Sequence, residues 1–266
     1  MGDPLFDLAG RVAVVTGGRG QLGRALVDAL VERGMRVAAL DVAPPAGEAG
    51  ERADHVLGLT CDVTRRDEVE AALEAVESAW ETPHVLVNAA GIDAPPDAPA
   101  SEVGPFEDVP LEALERVVDV NVLGVVVPCQ VIGGAMARAG RGSIVNVGSI
   151  YGLLSPDQSL YDFRREEGEA FVKPVAYSVS KSALLNLTRY LATYWGRSGV
   201  RVNTLTPHGI ENRQPAPFVE AFAVRSPLGR LMDVSEAVGA VVYLASDASS
   251  YVTGANLVVD GGWSAW

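Results

Sequence analysis

The sequence predicts an α/β domain: a doubly wound, parallel β-sheet with helices on both faces. Three observations carry this. Short β-branched runs alternate with amphipathic helical periods from one end of the 266 residues to the other, the pattern of repeated βα units. A glycine-rich turn joins the first strand to the first helix. No linker, internal repeat or low-complexity stretch divides the chain, so a single domain is expected over residues 1–266.

Taken in order, Val12–Thr16 is a β-branched run that reads as a buried strand, and Gln21–Arg33 has a helical period. Arg36–Asp41 and Val56–Cys61 are the second and third strands, and Arg65–Trp80 is an amphipathic helix with acidic residues on its outer face. His84–Asn88 is the fourth strand. A long helix lies within Leu111–Arg138, Ser143–Gly148 is the fifth strand, and Pro174–Arg197 is a helix. Val200–Leu205, Ser235–Ala245 and Asn256–Val259 complete the pattern as strand, helix and strand. The Pro/Ala stretch Ala94–Ala100 reads as a surface loop.

Composition narrows the function classes. Hydrophobic residues make up 48% of the chain, ample for a full core, and the net charge is −13. An acidic chain argues against nucleic acid and against an anionic membrane surface, since phosphate binding needs clustered Lys and Arg. No unbroken run of about 18 apolar residues occurs, so no transmembrane helix is expected. The N-terminus lacks a charged and then apolar leader, and Cys61 and Cys129 make no disulfide framework. A cytoplasmic protein acting on a small molecule fits these features. The three histidines are far apart and have no metal-like spacing, so no metal is expected.

The first βα turn is a candidate phosphate cradle. The strand runs into Gly17-Gly18-Arg19-Gly20-Gln21-Leu22-Gly23 and then a helix. Glycines there permit positive φ and close backbone approach, and the helix N-terminus offers N–H groups to a pyrophosphate. The second strand ends at Asp41, where a carboxylate can accept hydrogen bonds from the ribose hydroxyls of NAD and would repel a 2′-phosphate. Arg19 in the turn could instead reach such a phosphate. The carboxylate at the strand tip favours NAD over NADP.

Tyr177 and Lys181 form a second candidate site. Lys181 is one of only two lysines, and the pair is spaced i, i+4 on a predicted helix, so both side chains share a face. A free phenol has a pKa near ~10. A fixed positive charge beside it lowers that value, making it a usable proton donor and acceptor for an alcohol or ketone.

In their order along the chain, these motifs resemble the short-chain dehydrogenase/reductase family, with its Rossmann-type sheet, from Thr16 to Asp260-Gly261-Gly262. The resemblance implies further roles. Asp62 and Val63 follow the third strand where the family contacts adenine. Asn88-Ala89-Ala90-Gly91 resembles the family motif that supports the sheet and lines the cofactor. Asn121 stands where a helix asparagine helps hold a water beside the catalytic lysine. Ser149 matches the serine that binds the substrate oxygen, and Tyr177 and Lys181 match the acid/base tyrosine and its lysine. Pro207, Gly209 and Ile210 lie in the turn that passes the nicotinamide. A homo-oligomer, tetramer or dimer, is the family habit. The stretches Val117–Val127 and Ala183–Ala192 would permit it, with Trp263 and Trp266 in an interface.

Three departures from the family pattern bear on substrate. Gln21 stands where single-domain members usually have glycine, and the Gly17/Gly20/Gly23 spacing looks more like the extended, sugar-nucleotide-modifying branch. Ser149 and Tyr177 are separated by an extra charged segment, about 155–172, expected to wall the substrate pocket. Pro207-His208-Gly209 replaces Pro-Gly. With Ser149-Ile150-Tyr151-Gly152 and a polar lid at 208–231, this is similar to members acting on sugars or sialic-acid-like sugars. Tyr151, His208 and one of Arg164, Arg165 and Arg213 are the expected substrate contacts, the arginines for a carboxylate or phosphate. The resemblance implies hydride transfer between a nicotinamide and a secondary alcohol or ketone on a sugar, polyol or hydroxy acid. The alternatives are an epimerase or dehydratase that retains its NAD, and a non-catalytic dinucleotide sensor.

Overall fold

The computed structural model describes residues 3–44, 54–93 and 102–266. The expected loop at 94–100 lies outside them. Among the described residues, strands β1 (Val12–Thr16), β2 (Arg36–Asp41), β3 (Val56–Thr60), β4 (Val85–Asn88), β5 (Gly142–Val147), β6 (Val200–Pro207) and β7 (Asn256–Val259) form one sheet in the order β3-β2-β1-β4-β5-β6-β7. Every pairing is parallel. The inner strands are apolar on both faces because helices cover both. β1 and β4 are buried at every position, while the edge strands β3 and β7 are only partly covered.

The helices are α1 (Gln21–Val31), α2 (Arg66–Ala79), α3 (Leu111–Ala139), α4 (Asp162–Glu166), α5 (Val175–Trp195), α6 (Ala216–Arg225) and α7 (Val234–Ala245). α3 contains two π-helical turns, Asp119–Leu123 and Cys129–Gly133. By length and composition it could cross a bilayer, but 56% of its most apolar window is buried, the mark of a core helix. One core layer packs α2, α3 and α5 on the sheet through Val69, Ile132, Leu184 and Trp195. The other packs α1 and α7 through Leu26, Leu30, Val241 and Leu244. α7 starts at a capping box, with Asp233 and Glu236 each closing on the other's backbone.

The chain winds outward from β1 in two directions, to β2 and β3 on one side and through β4 to β7 on the other. The reversal falls between β1 and β4, and a crevice opens beyond their carboxyl ends. Thr16 holds that crevice together: its Oγ1 accepts from the N–H groups of Ala89 and Ala90, each at 3.1 Å.

A third, smaller apolar cluster joins the insertion to the lid. Leu160, Phe222 and Leu231 are buried there, with Tyr161, Phe218 and Trp263 against them. Trp263, expected in an interface between copies, instead packs within the chain, 4.8 Å from the Phe222 ring and 4.4 Å from His208. A large aromatic beside a half-made apolar cluster is used first to complete it. Trp266 is exposed.

Candidate active site

Two cavities meet at the crevice and share Ala89 and Gly91. The first, about 630 Å³, runs over the glycine turn to the tips of β2 and β3. Here the wall is backbone. Gly17 has φ +63°, and a Cβ on it would lie 2.8 Å from Ala90 Cα. A Cβ on Gly23 would lie 2.0 Å from the Gly17 carbonyl oxygen, so α1 packs on the turn only as glycine. Gly20 is the N-cap of α1 and supplies no side-chain cap, so the first N–H groups of that helix are offered to a ligand rather than to the protein.

Gly17, Gly20, Asp41, Asp62, Val63, Ala89, Ala90 and Gly91 all line this cavity. The Asp41 carboxylate accepts from the backbone N–H of Arg19 at 3.0 Å and of Ala43 at 3.1 Å. The Arg19 guanidinium turns away to the Ala43 carbonyl. Asp62 is tied to the backbone and hydroxyl of Thr64. Asn88 does not line either cavity. It is buried and bonds Asn146 Oδ1 at 2.9 Å and Cys129 Sγ at 3.4 Å, and so joins β4 to β5 and α3. Val42, Ile92 and Arg116 also line the cavity. Nothing local in the sequence marks these three, because only topology brings them to the cleft. The uncapped helix, bare turn and strand-tip carboxylate fit a dinucleotide.

The second cavity, about 500 Å³, collects the proton-transfer residues. Ser149 caps a single 3₁₀ turn, Ile150–Gly152, its hydroxyl accepting from the Tyr151 N–H at 3.2 Å and lying beside the Tyr177 phenol. Tyr177 and Lys181 stand one turn apart at the start of α5, both facing the cavity. Lys181 is buried, its Nζ donating to the Val147 carbonyl at 2.9 Å and lying 5.8 Å from the Tyr177 ring centroid. The expected lowering of the phenol pKa by Lys181 is not found: Lys181 is not among the groups that shift it. Burial is the larger effect and pushes Tyr177 up to about 12, against the pull of the Ser149 hydrogen bond. Burial also draws Lys181 down to about 8. Tyr177 therefore holds its proton at neutral pH, and Lys181 largely does.

Asn121 sits in the first π turn of α3, a local irregularity of the kind often found at functional sites. Its Oδ1 accepts from the Ile92 N–H at 2.7 Å, and its Nδ2 donates to the Ile92 carbonyl at 2.8 Å and to Ser180 Oγ at 3.0 Å. Bare Gly91 lets it approach the lysine: a Cβ there would be 3.2 Å from Asn121 Oδ1 and 3.3 Å from Lys181 Nζ.

The remaining expected contacts divide. Gln21, Leu22, Tyr151, Pro207, His208, Gly209 and Ile210 line the second cavity. Gln21, the departure in the glycine turn, donates to the Glu211 carbonyl at 2.6 Å and ties the turn to the lid. His208 is buried among Tyr151, Phe222 and Trp263, its Nε2 without a protein partner, and burial lowers its pKa to about 4. The three arginines are not in the cavity. Arg164 pairs with Glu169 and lies 4.0 Å over Phe171. Arg165 donates to the carbonyls of Phe171 and Gln158 and pairs with Asp162. Arg213 is exposed with φ +56°. Arg164 and Arg165 satisfy the insertion's own groups, Asp157 pairs with Arg225 of the lid, and the insertion presents Tyr161 to the cavity instead. Asp93 and Lys173 also line it, and no sequence motif had marked either.

The family model described as "Enoyl-(Acyl carrier protein) reductase" matches residues 19–264. The chain is 33% identical to the D-threitol dehydrogenase of Mycolicibacterium smegmatis, over 97% of this chain and 95% of that protein. It is 36% identical to the 3-alpha-(or 20-beta)-hydroxysteroid dehydrogenase of Mycobacterium bovis, over 96% and 90%. A short-chain dehydrogenase from Leptospira borgpetersenii, solved with bound NAD+, superposes with a TM-score of 0.85 at 31% identity, covering 99% of this chain and 96% of that one.

Proposed function

The chain belongs to the short-chain dehydrogenase/reductase family of NAD(P)-dependent oxidoreductases acting on CH–OH donors, and from that premise we propose that it is an NAD-dependent dehydrogenase of a polar secondary alcohol. The observation that carries this is the convergence of Ser149, Tyr177 and Lys181 on one cavity that adjoins another lined by the glycine turn and Asp41. Asp41 at the ribose end supports NAD over NADP.

Bound nicotinamide supplies the hydride acceptor or donor. Ser149 donates a hydrogen bond to the substrate oxygen as charge builds on it. Tyr177 gives or takes the proton at that oxygen. Its protonated phenol is the form ready to serve a carbonyl. Lys181 places its positive charge beside the phenol and holds the nicotinamide ribose. Asn121 positions Lys181's surroundings through Ile92 and Ser180. The phenols, amides and His208 around the cavity support a hydroxylated substrate. The exposed, stacked Tyr190 and Tyr194 on α5 support a homo-oligomer built on that helix.

The test is NADH formation by wild type and Tyr177→Phe across sugars, polyols, hydroxy acids, simple secondary alcohols and a steroid alcohol, with NADP in parallel. Loss of the acid/base group is expected to cut kcat/KM by roughly 10³-fold, with dinucleotide binding retained. Turnover that survives Tyr177→Phe would remove Tyr177 from the chemistry. Silence across the panel with NAD tightly held would favour an epimerase or dehydratase that recycles its cofactor.

A further inference from the structure

Inside the second cavity lies a charge pair that the chemistry above does not use. Asp93 follows the β4 turn, Lys173 precedes the N-cap of α5, and the two meet as an ion pair in the cavity lining. The Lys173 side chain is only 11% exposed. Gln158 of the insertion clamps its backbone, with Oε1 accepting from the Lys173 N–H at 2.9 Å and Nε2 donating to its carbonyl at 3.2 Å. The Lys173 ammonium lies 5.6 Å from the centroid of the Tyr177 ring, beside the group that handles the proton.

An ammonium only donates hydrogen bonds, and a carboxylate only accepts them. A hydroxyl does both. It can accept from Lys173 Nζ while donating to an Asp93 oxygen, and so join the pair without breaking it. An anionic group cannot: it must displace Asp93 from Lys173 or sit against a carboxylate of like charge. Among the described residues no arginine lines the cavity, and Lys181, its other lysine, stands beside the Tyr177 phenol, where it would hold the nicotinamide ribose. The cavity thus offers an anion no uncommitted cation.

Resting on the dehydrogenase reading, we infer that Asp93 and Lys173 are specificity determinants that hold a second hydroxyl of a neutral substrate, next to the carbinol that reacts. The preferred substrates are then vicinal diols and polyols, ahead of both simple alcohols and hydroxy acids.

Propylene glycol, isopropanol and lactate form a near-isosteric series that tests this through NADH formation. Hydrogen bonds to charged partners discriminate by roughly 10- to 100-fold, and the wild type is expected to favour the diol over isopropanol by that factor. The ratio should fall towards unity in Asp93→Asn and Lys173→Gln, and be partly kept in Lys173→Arg. No diol preference, a preference for lactate, or variants that lose diol and alcohol in equal proportion would overturn the inference. Saturation-transfer NMR of the same molecules with the protein and NADH gives a readout that does not need turnover. Transfer to the diol alone, lost in a Lys173→Gln protein that melts like the wild type, supports the inference. Transfer to lactate, or to none of the three, overturns it. A wild type that binds the diol yet forms no NADH would overturn the dehydrogenase reading while upholding diol recognition.

Discussion

Around the glycine turn, the wall of the cleft is main chain. Gly17 presses on Ala90, Gly23 on Gly17, and Thr16 stitches β1 to the β4 turn through two backbone N–H groups. Around the insertion and lid, the wall is side chains: Tyr151, Tyr161, Lys173, His208, Phe218 and Phe222. A main-chain wall has one geometry, set by where glycines allow close approach. A side-chain wall is aimed by its neighbours, and the same charges can face a ligand or the protein. The first suits a cofactor common to a whole family, and the second suits a substrate that differs between members.

The comparison breaks most readily at Gly23. A Cβ there would sit 2.0 Å from the Gly17 carbonyl oxygen, and its three nearest neighbours are all backbone atoms of Gly17 and Gly18. Gly23→Ala should destabilise the protein by about 3 kcal/mol, the upper range for overpacking, and weaken dinucleotide binding with it. Urea unfolding and NADH fluorescence titration measure the two. A variant as stable as the wild type would mean that the main-chain wall is adaptable after all.

His208 is the matching probe of the side-chain wall. Burial lowers its pKa from 6.5 to about 4, so the folded state binds fewer protons than the unfolded chain between those values. The neutral ring's contribution is fully present above the unfolded pKa and is lost as pH falls towards about 4. At ~1.4 kcal/mol per unit this amounts to roughly 3–4 kcal/mol. His208→Gln should lose less stability than the wild type over that acid range, as read by denaturant unfolding at neutral and acid pH. Equal pH slopes would show that the ring is hydrated and the wall looser than it looks.

What was legible in the sequence follows the same division. The glycine turn, Asp41 and the Tyr177–Lys181 pair are readable because backbone conformation and i, i+4 spacing are local properties of the chain. The assignment of Arg164, Arg165 and Arg213 to substrate failed because their partners decide where they point. For two of them those partners were in view, since Asp162 is three residues before Arg165 and Glu169 five after Arg164. A charged insertion rich in both signs pairs with itself first. The departure at His208 is visible in the sequence, but its burial depends on Phe222 and on Trp263 from the C-terminus, contacts that no local pattern encodes. Lys173 was countable as one of two lysines, and only the fold brings Asp93 to it.

Asp41 belongs to both descriptions, a side chain fixed by main chain, and gives the finest test. Its oxygens accept from the N–H groups of Arg19 and Ala43, so the carboxylate is aimed by the turn and cannot swing away. Arg19, the residue best placed to welcome a 2′-phosphate, is meanwhile engaged with the Ala43 carbonyl. Asp41→Asn keeps the shape and removes the charge. A partly screened unit charge near the ribose is worth about 1.4 kcal/mol, so the ratio of kcat/KM for NAD to that for NADP should fall roughly tenfold. If the ratio does not move, the carboxylate is braced by the turn without reading the ribose, and cofactor choice must reside in Arg19. Arg19→Ala would then shift the ratio towards NAD where Asp41→Asn had not, and even this side chain would count with the main chain that holds it.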